Sequence, residues 1–479
     1  MSHSPLFYRT GAGAGVTNAV KALPGPGSFF LLFLLLWGCF SAASAAEYPK
    51  MQVLVDAAEP GAIIEPPPGT YAGPVTIDKP VTIDGHGKVT IDAGGKGSVV
   101  YIETDGVSLQ GLRLTNSGES YNDIDSGVQV RGNFNVLKDL VIDNCLFGID
   151  LGQAENNIIK RNKISSKPFD LGVRGDSIRL WYSFNNKITD NVIRNSRDMV
   201  VWYSRDNLIA RNDSRGGRYS LHFMYSQYNE VIGNHYEDNS VGIFLMYSDG
   251  VVVRNNYIAR ASGPTGMGIG FKETSDVEIS GNVILNCATG MYLDVSPYQP
   301  DTTNRIFNNV IAFGGVALQF LNDWTGNVFK GNVIDGNITQ VIVAGGKTAN
   351  RNVWEGNYWD DYQGFDRDGD NIGDTPYELY AYADRIWMDV PAARFFKGSP
   401  VLEVLDFLER LAPFSPPDLT LQDKTPLKVA SMGLKAFIEE SALQKEHTAE
   451  QAGGDSAVGA GDEGATGFDA LKALRDSLQ

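Results

Sequence analysis

A short phrase recurs four times along the chain: Leu180-Trp181-Tyr182-Ser183, Val201-Trp202-Tyr203-Ser204, Phe223-Met224-Tyr225-Ser226 and Leu245-Met246-Tyr247-Ser248. The closing serines are 21, 22 and 22 residues apart. An asparagine keeps the same beat at Asn191, Asn212, Asn234 and Asn255, and continues with looser spacing at Asn282, Asn309, Asn332 and Asn357. Self-similarity at a period of roughly 20–25 residues marks a solenoid whose units pack only on their neighbours. The unit is rich in Val, Ile and Tyr, has Gly and Asn at its corners and lacks a helical period, so it reads as strands and turns. Asn tolerates left-handed backbone angles and bonds to stacked copies of itself through its amide. These features predict a parallel β-helix. A leucine-rich repeat has a similar period, but its regular leucine framework is missing.

With 479 residues, 43% of them hydrophobic, the chain can bury a long core in one solenoid. Residues 1–46 stand apart: only Arg9 and Lys21 are charged, and an apolar run at 29–37 leads to Ala43-Ser44-Ala45-Ala46. The run is too short for a settled membrane span and has the cleavage-site chemistry of a secretory signal peptide, which predicts export. Losing Arg9 and Lys21 with the signal takes the formal charge from −17 to −19. That acidity argues against nucleic acid or anionic lipid as a partner. Cys145 and Cys287 lie several coils apart, too far for a disulfide when coils rise by about 4.8 Å.

Hydrophobic pairs such as Val75 and Ile77, Val81 and Ile83, and Val89 and Ile91 mark early strands, following a capping turn at 61–71. The β-helix is expected over 47–353, an Asp, Gly, Tyr and Trp-rich cap over 354–384, a C-terminal segment with a helix over 385–427, and a disordered acidic tail over 428–479. The helix starts at Ser399-Pro400, a cap residue and a first-turn proline, and Val401, Val404, Leu405, Leu408 and Leu411 form its apolar stripe.

Strand alternation predicts which side chains each repeat displays. Leu180, Val201, Phe223 and Leu245, with Ile178, Met199, Leu221 and Ile243 two residues earlier, should point inward. Arg179 and Trp181, Val200 and Trp202, His222 and Met224, and Phe244 and Met246 should then point outward. Such a stripe is either covered by another part of the chain or is a binding surface, with Arg179, Trp181 and Trp202 as its platform. Met246 follows Met224 by one coil, and His222 lies two residues before Met224 on the same face. Two thioethers and an imidazole suit Cu(I), although stacked methionines also serve as packing. Against this stands a carbohydrate reading, in which Glu273 and Asp294 on consecutive coils form a glycosidase pair beside Trp181 and Trp202. An insertion at 262–265 shifts the register there and equally allows Glu273 to turn inward beside Lys272.

In the cap, Asp366, Asp368, Asp370 and Asp374 occupy positions 1, 3, 5 and 9 of a tight loop, a pattern that converges on one hard cation. Position 12 holds Tyr377 where an EF-hand has Glu, so the loop matches the first half of that motif. It predicts a structural Ca²⁺ site, against the alternative of a solvated acidic turn.

Several segments together resemble one family: Pro68-Gly69-Thr70-Tyr71, 174–181, Arg197-Asp198, Met224-Tyr225-Ser226, Met246-Tyr247-Ser248, Phe271-Lys272-Glu273, 290–294, 358–362, 374–377 and 384–391. In that order they resemble the NosD family, periplasmic maturation proteins of nitrous oxide reductase, over about residues 50–427. The resemblance implies a right-handed β-helix of the type found in carbohydrate-binding and sugar-hydrolase solenoids. It also implies a non-catalytic partner of an ABC transporter with a membrane permease and a cytoplasmic ATPase, serving the copper–sulfur cluster of the reductase in denitrification. Copper would come from a lipoprotein chaperone. The alternatives are a polysaccharide-active epimerase, lyase or hydrolase, and a non-catalytic carbohydrate-binding module.

Overall fold

A computed structural model describes residues 48–345, 348–381, 396, 399–411 and 418–430. The expected signal peptide and most of the expected acidic tail lie outside these residues. The described chain winds into a right-handed parallel β-helix with three strands per coil. One face is a 12-stranded parallel sheet running from Val75–Ile77 to Thr339–Val343. The other two faces join into a 24-stranded sheet, because the early strands Thr82–Asp92 and Ser108–Thr115 run through the corner between them. Inward residues of all three faces form one continuous core, from Met51 at one end to Trp359 and Tyr377 at the other.

Three side-chain ladders hold the corners in register. Each Asn Oδ1 accepts both the backbone N–H and the side-chain amide of the Asn one coil earlier, for example Asn191 on Asn212 at 3.0 and 2.9 Å. One ladder runs through Asn157, Asn186, Asn207 and Asn229. The second runs through Asn162, Asn191, Asn212, Asn234, Asn256, Asn282, Asn309, Asn332 and Asn357. Its fifth rung is Asn256, not Asn255 as the spacing predicted. Asn255 occupies the corner just before it, at φ 53°. The third ladder explains the serine of the repeated phrase: the Ser183 N–H donates to Ser204 Oγ at 3.0 Å, and Ser204, Ser226 and Ser248 continue the series. Thr274 then takes the serine's place and donates its N–H to Ser296.

Both ends are closed. At the start, helix Met51–Ala57 places Met51 and Val55, one turn apart, against the first coil. The sequence predicts a capping turn at this end, and the structure adds the helix. At the other end, strand Asp418–Asp423 pairs antiparallel with Tyr377–Ala381. Leu427 forms bridges with Tyr358 and Ile372. The cap therefore extends through residues 418–430, most of which the sequence reading had placed in a separate docking segment. Asp423, fully buried, ends the long asparagine ladder: its Oδ2 accepts the N–H and amide of Asn357 at 3.0 and 2.9 Å and the Trp359 indole at 3.3 Å. A carboxylate only accepts, so it terminates a chain of donors without leaving one unpaired. Helix Pro400–Leu411 forms as predicted, with Val401, Val404, Leu405, Leu408 and Leu411 of its stripe all exposed. No helix among the described residues is long and apolar enough to cross a membrane.

Candidate functional site

The predicted alternation holds on the 12-stranded face. Ile178, Leu180, Met199, Val201, Leu221, Phe223, Ile243 and Leu245 are all buried in the core. The alternate residues form two outward columns. One runs Asp150, Arg179, Val200, His222, Phe244, Gly270 and Tyr292; the other runs Trp181, Trp202, Met224, Met246, Lys272 and Asp294. Met224 and Met246 are thus in direct register, with His222 beside them. Earlier rungs of this face are roofed by the chain itself: Tyr121 packs edge-on against Phe147 at 5.8 Å and hydrogen-bonds the Val173 carbonyl, and Lys167 pairs with Glu119. The rungs carrying Trp181, Trp202, Met224 and Met246 remain half-buried.

Salt bridges frame the columns. Asp150, with its side chain fully buried, is held between Arg131 and Arg179, each at 2.7 Å. Arg197 joins Asp176 to Asp198, and Arg218 also binds Asp198. Burial pushes the Asp176 carboxyl up to about 6 even with Arg197 against it. The hydrogen bonds it donates to Asp198 hold the Arg218 guanidinium firmly protonated, above its ordinary value. That guanidinium lies 5.0 Å over the Tyr219 ring, and Tyr219 in turn stacks on His222 with centroids 4.8 Å apart.

His222 is consequently walled in by rings: Tyr219 on its face, Trp202 at 6.0 Å and 88°, and Phe244 at 6.0 Å. Neither ring nitrogen has a hydrogen-bond partner, though both are buried. Burial drives its pKa down to about 4, with Asp198 opposing and Arg218 adding to the shift, so the imidazole is neutral at any ordinary pH. Buried polar atoms without partners are rare and call for a reason. A neutral imidazole with an unused lone pair, adjoining two thioethers in register, fits a soft monovalent cation such as Cu(I).

The tyrosine of each repeated phrase has a role the sequence reading missed. Tyr182, Tyr203, Tyr225 and Tyr247 all adopt left-handed backbone angles, φ 49–51°. Their rings stack along the corner with centroids 5.0, 5.3 and 4.7 Å apart. Trp181 packs edge-on to Tyr203 at 5.1 Å, joining this exposed stack to the tryptophan column. The signal was visible as a tyrosine before every serine, at a corner where Asn or Gly is more usual.

The carbohydrate-enzyme pair does not form. Because Thr274 is the ladder residue, Lys272 stands opposite Asp294, with Nζ and Oδ2 3.6 Å apart. Glu273 sits in the corner at φ 46°, so it neither pairs with Asp294 across the strands nor turns inward beside Lys272. A cleft of about 720 Å³ lies on another corner, lined by Leu171, Gly217, Ser240 and Arg260, and shares no residue with the two columns. Cys145 and Cys287 are buried, unpaired, and raised to about 12 by burial.

In the cap loop, carboxylate oxygens of Asp366, Asp368 and Asp370 come within 4.8 Å of one another. Asp374 instead receives the Arg367 N–H at 2.9 Å. Gly369 and Asn371 take the left-handed turns the loop needs, at φ 76° and 69°. Asn371 then clamps Val429 through two hydrogen bonds, and the Gly373 N–H donates to Pro426, so the loop grips the closing segment.

A family described as "Periplasmic copper-binding protein (NosD)" matches residues 161–364, a span that includes both columns except Asp150. A probable ABC transporter binding protein NosD of Pseudomonas aeruginosa is 27% identical over 434 residues, covering 83% of this chain and 94% of that protein. Its namesake in Stutzerimonas stutzeri is 27% identical over 399 residues, covering 75% and 85%. Among solved structures, the A-module of a mannuronan C-5 epimerase from Azotobacter vinelandii has a TM-score of 0.42 at 16% identity, covering 63% of this chain and 93% of that one. A family 28 exopolygalacturonase of Yersinia enterocolitica has a TM-score of 0.41 at 11% identity, covering 60% and 71%. The chain resembles NosD over most of its length, as its ordered motifs indicated.

Proposed function

We propose that this protein is a periplasmic, non-catalytic copper-handling subunit of an ABC-transporter complex, and that it serves the copper–sulfur site of nitrous oxide reductase. The observation that carries this reading is His222, a half-buried imidazole whose two nitrogens are buried and unpartnered, beside Met224 and Met246 in register. The resemblance to proteins described as copper-binding and as transporter-binding supports it. Copper is cargo here. Two thioethers and a neutral imidazole hold Cu(I) with moderate strength, and the half-buried Met224 and Met246, on the outward column, form the side from which a lipoprotein chaperone delivers it and the reductase receives it. No proton is displaced from His222 when the ion arrives, because burial already keeps the ring neutral.

The exposed stripe of helix Pro400–Leu411 is the element we assign to the permease, whose cytoplasmic ATPase completes the complex. Asp366, Asp368 and Asp370, with Asp374 organising the loop, hold a structural Ca²⁺ in the cap. The absence of a carboxylate pair in register around Asp294 favours the non-catalytic reading over polysaccharide epimerase, lyase or hydrolase activity. In a strain lacking this protein, the Met224→Leu/Met246→Leu variant is expected to leave nitrous oxide reductase copper-deficient by metal analysis. A fully loaded reductase in that strain contradicts the proposal.

A further inference from the structure

We infer that Trp202 is a further contact of the copper site, its indole lying against the bound Cu(I) as a cation–π partner. The inference rests on the copper reading of His222, Met224 and Met246. Trp202 is the adjacent rung of the methionine column, in register with Met224, so the backbones that carry the indole and the thioether are about 4.8 Å apart. Its ring centroid is 6.0 Å from the imidazole and the two planes are at 88°, so an ion held on the Trp202 side of His222 comes within the roughly 6 Å reach of a cation–π contact.

Two neighbouring rings already carry a cation of the protein. Arg179 lies 5.0 Å over Trp181, and Arg218 lies 5.0 Å over Tyr219. Among the described residues no guanidinium or ammonium lies over Trp202. The indole nitrogen is buried and has no hydrogen-bond partner, so hydrogen bonding does not account for a tryptophan at this rung. Tryptophan is the side chain whose face attracts a cation most strongly, and a half-buried site withholds the water that would weaken the attraction. His222, Met224, Met246 and Trp202 then enclose one soft ion from two adjacent columns.

Ag(I), a Cu(I) surrogate stable in air, provides the probe, and tryptophan emission provides the readout. The chain has seven tryptophans, so the comparison is between the whole protein and its Trp202→Phe and Trp181→Phe variants. Stoichiometric Ag(I) should quench the wild-type and Trp181→Phe emission, and most of that quenching should vanish in Trp202→Phe. Affinity measured by competition should fall in Trp202→Phe, by less than the roughly 2- to 30-fold of a whole cation–π contact because the weaker phenylalanine face keeps part of it. A melting curve of the metal-free variant checks that phenylalanine keeps the fold. Equal quenching and equal affinity in Trp202→Phe, with Ag(I) still bound, overturn the role of Trp202 and leave the copper reading standing. No Ag(I) binding by the wild type overturns both.

Discussion

At the level of single residues, the chemistry turns on an imidazole that folding forces to be neutral. The outward placement of His222, Met224 and Met246 followed from strand period alone, because alternate residues of every repeat were apolar. What the sequence did not show was the wall around His222. A register shift between Asp198 and Val200 sets Tyr219 where it stacks on the imidazole; in the sequence the bulge is only a step from 21 to 22 residues in the repeat, which does not say where in the coil the extra residue falls. The Asn255 and Asn256 pair failed for a similar reason: both residues are turn formers, and only the stacked geometry distinguishes rung from corner. The buried imidazole makes a pH prediction. Its folded pKa of about 4 lies below the ordinary 6.5, so the unfolded chain binds the extra proton first. Stability conferred by the neutral ring is complete above pH 6.5 and is lost as pH falls toward 4, a linkage worth about 3 kcal/mol. His222→Phe should flatten that part of the stability profile in denaturant melts at stepped pH. An unchanged acid limb would show that the ring is not desolvated.

At the level of elements, the ladders and the two caps make the solenoid finite. The solenoid, its Asn and Ser corners and the Asp-rich turn were all legible, since each repeats or has fixed spacing. The closing contact was not: Asp423 lies 66 residues beyond Asn357, and nothing in a lone aspartate marks it as the end of a ladder. Asp423→Ala removes the acceptor for Asn357, Trp359 and Thr425 together, leaving buried donors unpaired. It should cost about 3 kcal/mol in equilibrium unfolding, with Asp423→Asn intermediate because one carbonyl oxygen survives. A loss under about 0.5 kcal/mol would mean that water replaces the carboxylate. Ca²⁺ removal tests the adjoining loop. EDTA should lower the melting temperature of the wild type and leave Asp368→Ala unmoved; equal curves with and without Ca²⁺ would reduce the three carboxylates to a solvated turn.

At the scale of the whole molecule, the proposed copper site and the proposed docking helix are separate elements on one scaffold. Because residues 418–430 close the solenoid, deleting everything beyond residue 391 would unfold the cap along with the helix. Permease docking is better tested by Leu405→Glu/Leu408→Glu, both positions being exposed and neither in the core. That variant should keep the wild-type melting temperature and lose co-purification with the permease; retained co-purification would move the docking surface elsewhere. The methionine columns admit the most direct test. Met224→Leu/Met246→Leu preserves volume and apolarity, so stability should change by less than about 1.5 kcal/mol. Cu(I) affinity, titrated anaerobically against a chromogenic competitor, should fall at least about tenfold if two thioether ligands are gone. A double variant that binds Cu(I) as tightly as the wild type would return both methionines to packing and remove the copper site from this face.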